Sequence, residues 1–205
     1  MNHKRLILGE LETNCYLVWS DNGEGIIIDP ADQAEQILAA IQQEQITIKA
    51  IVLTHVHFDH MSAAESVCAQ TGAPLLIGAG DEDALTNPNR NLSGWFSPDQ
   101  EITIAKADLL HEGDAIHFGD ESLTVWETPG HTPGCICLIS EDMLFSGDTL
   151  FRNSIGRLDF PGGNMEAMGH SLGRLLQLPD TTMVYSGHGP ATTIGTEKKY
   201  NPYLR

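Results

Sequence analysis

The chain has 205 residues, 41% of them hydrophobic, a size and composition that suit a globule with a substantial core. Eleven basic against 28 acidic residues leave a net charge of −17. Such a surface repels phosphate backbones and anionic lipid, so neither nucleic acid nor a membrane is an expected partner.

In chain order, Leu6-Ile7-Leu8 and Cys15 to Trp19 read as strands. Asp21-Asn22-Gly23 signals a hairpin turn, and Gly25 to Asp29 is the returning strand. Asp29-Pro30 stops it, and Asp32 is placed to cap a helix over 33–44, where Ile37, Leu38 and Ile41 recur at helical spacing. Lys49 to Leu53 is an apolar strand of the kind buried on both faces. A helix over 61–70 turns Ala63, Ala64 and Val67 inward, and Pro74 to Ile77 is a short strand. Residues 86–100 lack periodicity, and a loop this long is often functional. Its Trp95 and Phe96 either cover a site or pin the loop to the core. Strands follow at 115–118, 122–127, 135–139 and 143–146, then a helix over 165–177, a strand over 182–185 and a last helix near 190–200. This order fits an α/β (α+β) architecture with helices outside two stacked sheets better than a doubly wound parallel sheet. No linker is visible, so residues 1–205 read as a single domain.

Nothing approaches the roughly 20 apolar residues of a membrane span. Residues 1–20 contain Glu10 and Glu12 and no apolar core of signal-peptide length. Cys15, Cys68, Cys135 and Cys137 form no spaced framework, and they read as free thiols of a reducing cytoplasm. Cys135 and Cys137 would share one strand face as small core residues.

The chemistry concentrates where the strand ending at Leu53 stops: His55-Val56-His57-Phe58-Asp59-His60. Four ligating groups this close cost stability unless something binds them, and a metal is the natural answer. Three later strand ends offer partners: Gly130-His131, Gly147-Asp148 and Gly187-His188. In each a glycine precedes the polar residue and lets the backbone turn sharply. Five histidines and two aspartates are too many for one tetrahedral zinc. They suit two divalent ions sharing a carboxylate, with Zn²⁺, Fe or Mn²⁺ favoured over Ca²⁺ and Mg²⁺. His3, His111, His117 and His170 lack this setting and read as structural.

These motifs carry a resemblance to the metallo-β-lactamase superfamily, and within it to short bacterial glyoxalase II (hydroxyacylglutathione hydrolase). It includes Thr13-Asn14-Cys15-Tyr16, Asp29-Pro30, Thr54 to His60, Gly130 to Gly134, Gly147-Asp148, Gly156 to Gly163, Gly187 to Gly195 and Asn201 to Leu204. The resemblance implies a four-layer αββα sandwich with two metals, Zn²⁺ first among the candidates. His55, His57 and His131 would hold metal 1, Asp59, His60 and His188 metal 2, and Asp148 would bridge. Asp59 and Asp148 would be the catalytic carboxylates, Asp59 also orienting the nucleophile. The implied chemistry is hydrolysis of S-D-lactoylglutathione or a related S-acylglutathione by a bridging hydroxide. An Asp at 148 in place of Cys is unlike the commonest true metallo-β-lactamases and argues against antibiotic hydrolysis. Asp29 is a candidate for aiming an imidazole, beside a plain turn-capping role. Basic residues for the glutathione carboxylates are few. Arg157 and Lys198 are the candidates for substrate binding among Arg152, Arg157, Lys198, Lys199 and Arg205, and Arg157 could equally pair with Asp159. Weak substrate binding is expected, by a monomer or small homo-oligomer. The rival within the superfamily is a persulfide dioxygenase with one iron on His55, His131 and Asp148. A nuclease is disfavoured by the acidity.

Overall fold

A computed structural model describes residues 1–97, 99 and 101–204. The chain opens with a meander of β1 (Asn2–Leu8), β2 (Thr13–Trp19) and β3 (Glu24–Ile28). Helix α1 (Ala34–Glu44) then crosses over to β4 (Thr47–Leu53), parallel to β3. The one-turn α2 (Phe58–Met61) and α3 (Ala64–Thr71) lead to β5 (Leu75–Gly78). A 3-10 turn over Ala79–Ala84, the one-turn α4 (Ser93–Phe96) and the edge strand β6 (Asp108–Leu110) complete the first half. The first sheet runs β1-β2-β3-β4-β5-β6.

The second half gives β7 (Ala115–Phe118), β8 (Glu121–Glu127), β9 (Ile136–Ile139) and β10 (Met143–Gly147). A small hairpin of β11 (Leu150–Phe151) and β12 (Ser154–Ile155) stands apart. Helix α5 (Met165–Leu175) crosses to β13 (Met183–Ser186), parallel to β10, and β14 (Thr192–Thr193) runs into α6 (Ile194–Tyr200). The second sheet runs β14-β13-β10-β9-β8-β7.

Strand alternation explains the layers. In β2, β3 and β4 one set of side chains (Tyr16, Val18, Ile26, Ile28, Val52) meets Phe118, Leu123, Val125, Leu138 and Phe145 of the other sheet. The alternate set (Cys15, Leu17, Ile27, Ile51, Leu53) packs under Ile37, Ala64 and Val67 of α1 and α3. On the far side Cys137, Leu144 and Val184 pack under Met168, Leu172 and Leu175 of α5. The result is the expected αββα sandwich. Strands covered on both faces bury both alternating sets of side chains, hence their near-continuous apolar runs. Each fully buried Ile or Leu contributes about 1.5–3 kcal/mol.

Several local expectations shift. Asp32 does not cap α1. The N-cap is Gln33 in a left-handed conformation, and Asp32 Oδ1 accepts from the Gln33 amide at 2.6 Å. Strand β1 starts at Asn2, its polar half being an exposed sheet edge. The last helix starts at Ile194, because Thr192-Thr193 pair with β13 and the Thr193 side chain then accepts from the Thr196 amide. The loop at 86–100 contains α4, and its Pro98 and Gln100 lie outside the described residues. No helix among the described residues is long and apolar enough to cross a membrane. All four cysteines are free.

Candidate metal centre

The ends of β4, β10 and β13 and the loop from β8 to β9 meet at one rim of the sandwich. The Ile136 amide donates to the Thr54 carbonyl at 2.8 Å and fastens the two sheets there. His55 follows β4, His57 is the N-cap of α2, and Asp59 and His60 lie within that single turn. Asp148 follows β10, where Gly147 has φ 47° and an added Cβ would collide with the Thr54 side chain. At Gly187 an added Cβ would strike the Asp148 carboxylate. These two glycines are what let the loops close on each other.

All seven candidate ligands come together. His55 Nε2 is 3.1 Å from His57 Nδ1, which is 2.9 Å from His131 Nε2. His60 Nε2 is 3.5 Å from Asp59 Oδ2 and 3.5 Å from Asp148 Oδ1. His188 Nε2 is 3.3 Å from Asp59 Oδ2 and 3.7 Å from Asp148 Oδ2, and His131 Nε2 is 3.6 Å from that same oxygen. Bonds of 2.0–2.1 Å in a tetrahedron place ligand atoms about 3.3 Å apart, so both sets have the spacing a cation requires. Asp148 stands between them. His60 Nε2 and Asp148 Oδ1 are buried with no hydrogen-bond partner, a costly state that a bound cation would relieve. The residues fit a binuclear metal site.

The electrostatics divide the same way. Burial, then the surrounding imidazoles, hold His55 well below the usual histidine range. Burial and His131 do the same to His57. Burial also opposes charge on His60, but Asp59, Asp148 and Asp29 outweigh it and raise the imidazole to about 10. His188 is raised against its burial chiefly by the hydrogen bond to Asp59 and by Asp148. Asp59 is held well below the usual carboxylate range, since His60 and His188 override desolvation.

The outer contacts aim the rings. Asp29 accepts from the Thr54 amide and hydroxyl, both at 2.7 Å, and faces His60 Nδ1 at 2.9 Å. It therefore orients an imidazole rather than capping a turn. His131 Nδ1 meets the Arg157 carbonyl at 2.7 Å, and His188 Nδ1 meets the Leu11 carbonyl at 3.1 Å. The Thr13 hydroxyl donates to Asp59 at 2.9 Å. Asn14 and Tyr16 bond the Ser186 carbonyl, each at 2.8 Å, clamping the His188 loop from the opposite sheet.

Asp81 escaped the sequence reading. This buried carboxylate accepts from the Val56 amide at 3.0 Å, the Thr132 hydroxyl at 2.8 Å and the Gly134 amide at 2.8 Å. It ties the His55–His57 loop to the His131 loop, and burial pushes its carboxyl up. In the sequence it sits in Asp81-Glu82-Asp83, where nothing distinguishes one buried carboxylate from its exposed neighbours. The preceding Gly80, packed against the Pro133 carbonyl, was the available signal.

The centre opens into a cavity of about 310 Å³. Arg157 lines it, with Nε and Nη2 held by Asp159 at 2.9 and 2.7 Å. Lys198 does not line it, because its ammonium is bound by Asp180 at 2.6 Å and the Leu178 carbonyl at 3.2 Å. Arg205 lies outside the described residues. Of the two loop aromatics, Phe96 lines the cavity, whereas Trp95 donates to Asn89 at 3.3 Å.

A family model described as the metallo-beta-lactamase superfamily matches residues 8–188. The chain is 37% identical to "Probable metallo-hydrolase YqgX" of Bacillus subtilis (strain 168), over 100% of this chain and 98% of that protein. It is 32% identical to "Hydroxyacylglutathione hydrolase GloC" of Haemophilus influenzae, again over 100% and 98%. Among solved structures it is similar to BLEG-1 B3 metallo-beta-lactamase (TM-score 0.93, 38% identity, 99% of each chain). It is also similar to TTHA1623 in a di-iron-bound form (TM-score 0.88, 36% identity, 98% and 100% covered). ETHE1 from Myxococcus xanthus gives a TM-score of 0.83 at 29% identity, over 98% of this chain and 84% of that one.

Proposed function

Because the chain belongs to the metallo-beta-lactamase superfamily, we propose that it is a binuclear metal-dependent hydrolase, one domain over residues 1–205, that cleaves S-acylglutathione thioesters such as S-D-lactoylglutathione. The observation that carries this reading is the complete set of seven ligating groups, six of them gathered around Asp148. The full-length likeness to GloC directs the reading to thioesters. His55, His57 and His131 would hold one ion, Asp59, His60 and His188 the other, with Asp148 between them. Zn²⁺ is the first candidate, and the di-iron form of TTHA1623 keeps iron beside it.

Bound there, two divalent cations would bring the pKa of water towards neutrality and polarise the substrate carbonyl. Asp59, fixed by Thr13 and partly open to the cavity, can accept a hydrogen bond from the attacking water and aim it. The attacking water gives one proton to solvent as its oxygen bonds to the carbonyl carbon, the carbon–sulfur bond breaks with its electron pair on sulfur, and the proton left on the new acid passes to the departing thiolate, giving carboxylate and thiol. A thiolate leaves readily, so no dedicated side-chain acid is required. The free cysteines support a reducing, cytoplasmic setting.

A second reading is the mononuclear-iron persulfide dioxygenase on His55, His131 and Asp148, and the likeness to ETHE1 favours keeping it. β-Lactam hydrolysis, disfavoured by Asp148, returns as a comparison because of the likeness to BLEG-1. The test counts metals in the purified protein and assays lactoylglutathione, glutathione persulfide with oxygen uptake, and a chromogenic cephalosporin side by side. About two metals per chain with lactoylglutathione turnover is expected. One iron with oxygen uptake, or turnover of the cephalosporin alone, would overturn the proposal.

A further inference from the structure

The walls of the cavity are chemically unlike its floor. Leu11, Phe58 and Phe96 form the wall that the cavity shares with its neighbouring groove. Leu11 and Phe96 are 51% and 55% exposed, and large apolar side chains left open beside a polar centre mark a surface that a ligand covers. Phe58 and Phe96 stack with centroids 5.7 Å apart and planes 14° apart, and Phe96 meets Phe160 edge-on at 6.2 Å. Past these residues the cavity continues into a groove of about 420 Å³ that also borders Glu10 and Asp32. The Arg157 guanidinium lies over the Phe160 ring at 4.3 Å. Arg157 is the one arginine or lysine among the described residues lining the cavity.

A thioester placed over the metals has two halves to accommodate. The glutathionyl half carries two carboxylates. Glu10 and Asp32 repel it from the groove, and Arg157, which lines the cavity but not the groove, draws it the other way. The acyl half is thereby left to Leu11, Phe58 and Phe96. Resting on the thioesterase reading, we infer that this wall selects the acyl group, and that the preferred substrates carry an aromatic or long alkyl acyl chain rather than the small lactoyl group.

The experiment compares two ligand pairs on the metal-loaded protein. In calorimetry, S-benzylglutathione is expected to bind about tenfold tighter than S-methylglutathione, from the apolar area a phenyl ring buries. In kinetics, S-mandeloylglutathione is expected to exceed S-lactoylglutathione in kcat/KM by a similar factor. Both ratios should fall to within about threefold in Phe96→Ala and in Leu11→Ala, exposed positions where the fold tolerates truncation. Ratios near one in the unaltered protein, or variants that weaken both members of a pair equally, would overturn the inference. Turnover of neither thioester with the benzyl preference intact would remove the thioesterase reading and leave the apolar subsite standing. Equal turnover of both with no benzyl preference would do the reverse.

Discussion

His60 is the side chain on which the second ligand set turns. It is wholly buried, yet Asp29, Asp59 and Asp148 surround it. With its imidazole raised to about 10, it carries a proton at neutral pH in the absence of metal. That proton must leave before Nε2 can bind a cation. Metal loading at pH 7.5 should therefore release at least one proton per chain, and affinity should rise with pH through the range below about 10. Calorimetry in buffers of different ionisation enthalpy reads this directly, and zero release would contradict it. The sign for the metal-free fold is opposite. The ion pairs of His60 stabilise it fully below the unfolded value of about 6.5, and that stability is lost as pH rises through about 10. Asp29 is the remote control of the same ring. Asp29→Asn keeps the shape but removes the charge facing Nδ1, so metal affinity should fall about 10–100-fold. Chelator competition measures it, and an unchanged affinity would reduce Asp29 to a backbone anchor for Thr54.

At the scale of elements, the centre is a junction of four loops, one from the first sheet and three from the second, and Asp81 ties the first to that of His131. Asp81→Ala leaves two buried amides and a hydroxyl without their acceptor, which should cost about 2–4 kcal/mol of unfolding free energy. Denaturant titration of the metal-free protein checks it, with Asp81→Asn expected to lose less. The elements that were legible in the sequence were those with a strong periodic or compositional signature. The doubly buried β4 announced itself by its apolar run, and the ligand loops by glycine followed by histidine or aspartate. The rest was hidden for identifiable reasons. Strand β6 is exposed at two of its three positions, so it has no apolar run. The hairpin of β11 and β12 has two residues per strand, below any period. It is held by Asn201 and Glu197 from the far end of the chain, through the Ser154 carbonyl at 3.0 Å and the Asn153 amide at 2.8 Å, contacts no local pattern encodes. Asp32 had the right type for a cap, but the backbone entered the helix through a left-handed Gln33 instead. Asp81 and Thr13 act across the fold, and a long-range hydrogen bond leaves no trace in spacing.

At the scale of the whole molecule, the net charge of −17 sets how a substrate arrives. Lactoylglutathione is itself an anion, and the cavity offers it Arg157, already paired with Asp159. An ion pair this exposed is screened by solvent and contributes little, so Arg157 can exchange Asp159 for a substrate carboxylate at little cost but gains equally little. On the thioesterase reading the bound metals would then supply most of the grip on a lactoyl substrate, and the surrounding acidity works against approach. Two consequences can be measured together. KM for lactoylglutathione should lie well above the low-micromolar range. It should also fall when ionic strength is raised from about 0.01 M to 0.15 M, because the screening length shortens from about 30 Å to 8 Å and the repulsion is confined to the surface. A substrate steered by a basic patch would show the opposite slope. Steady-state kinetics across that salt range decide between the two. A KM that is low-micromolar and rises with salt would mean that the glutathione carboxylates find a cationic grip other than Arg157.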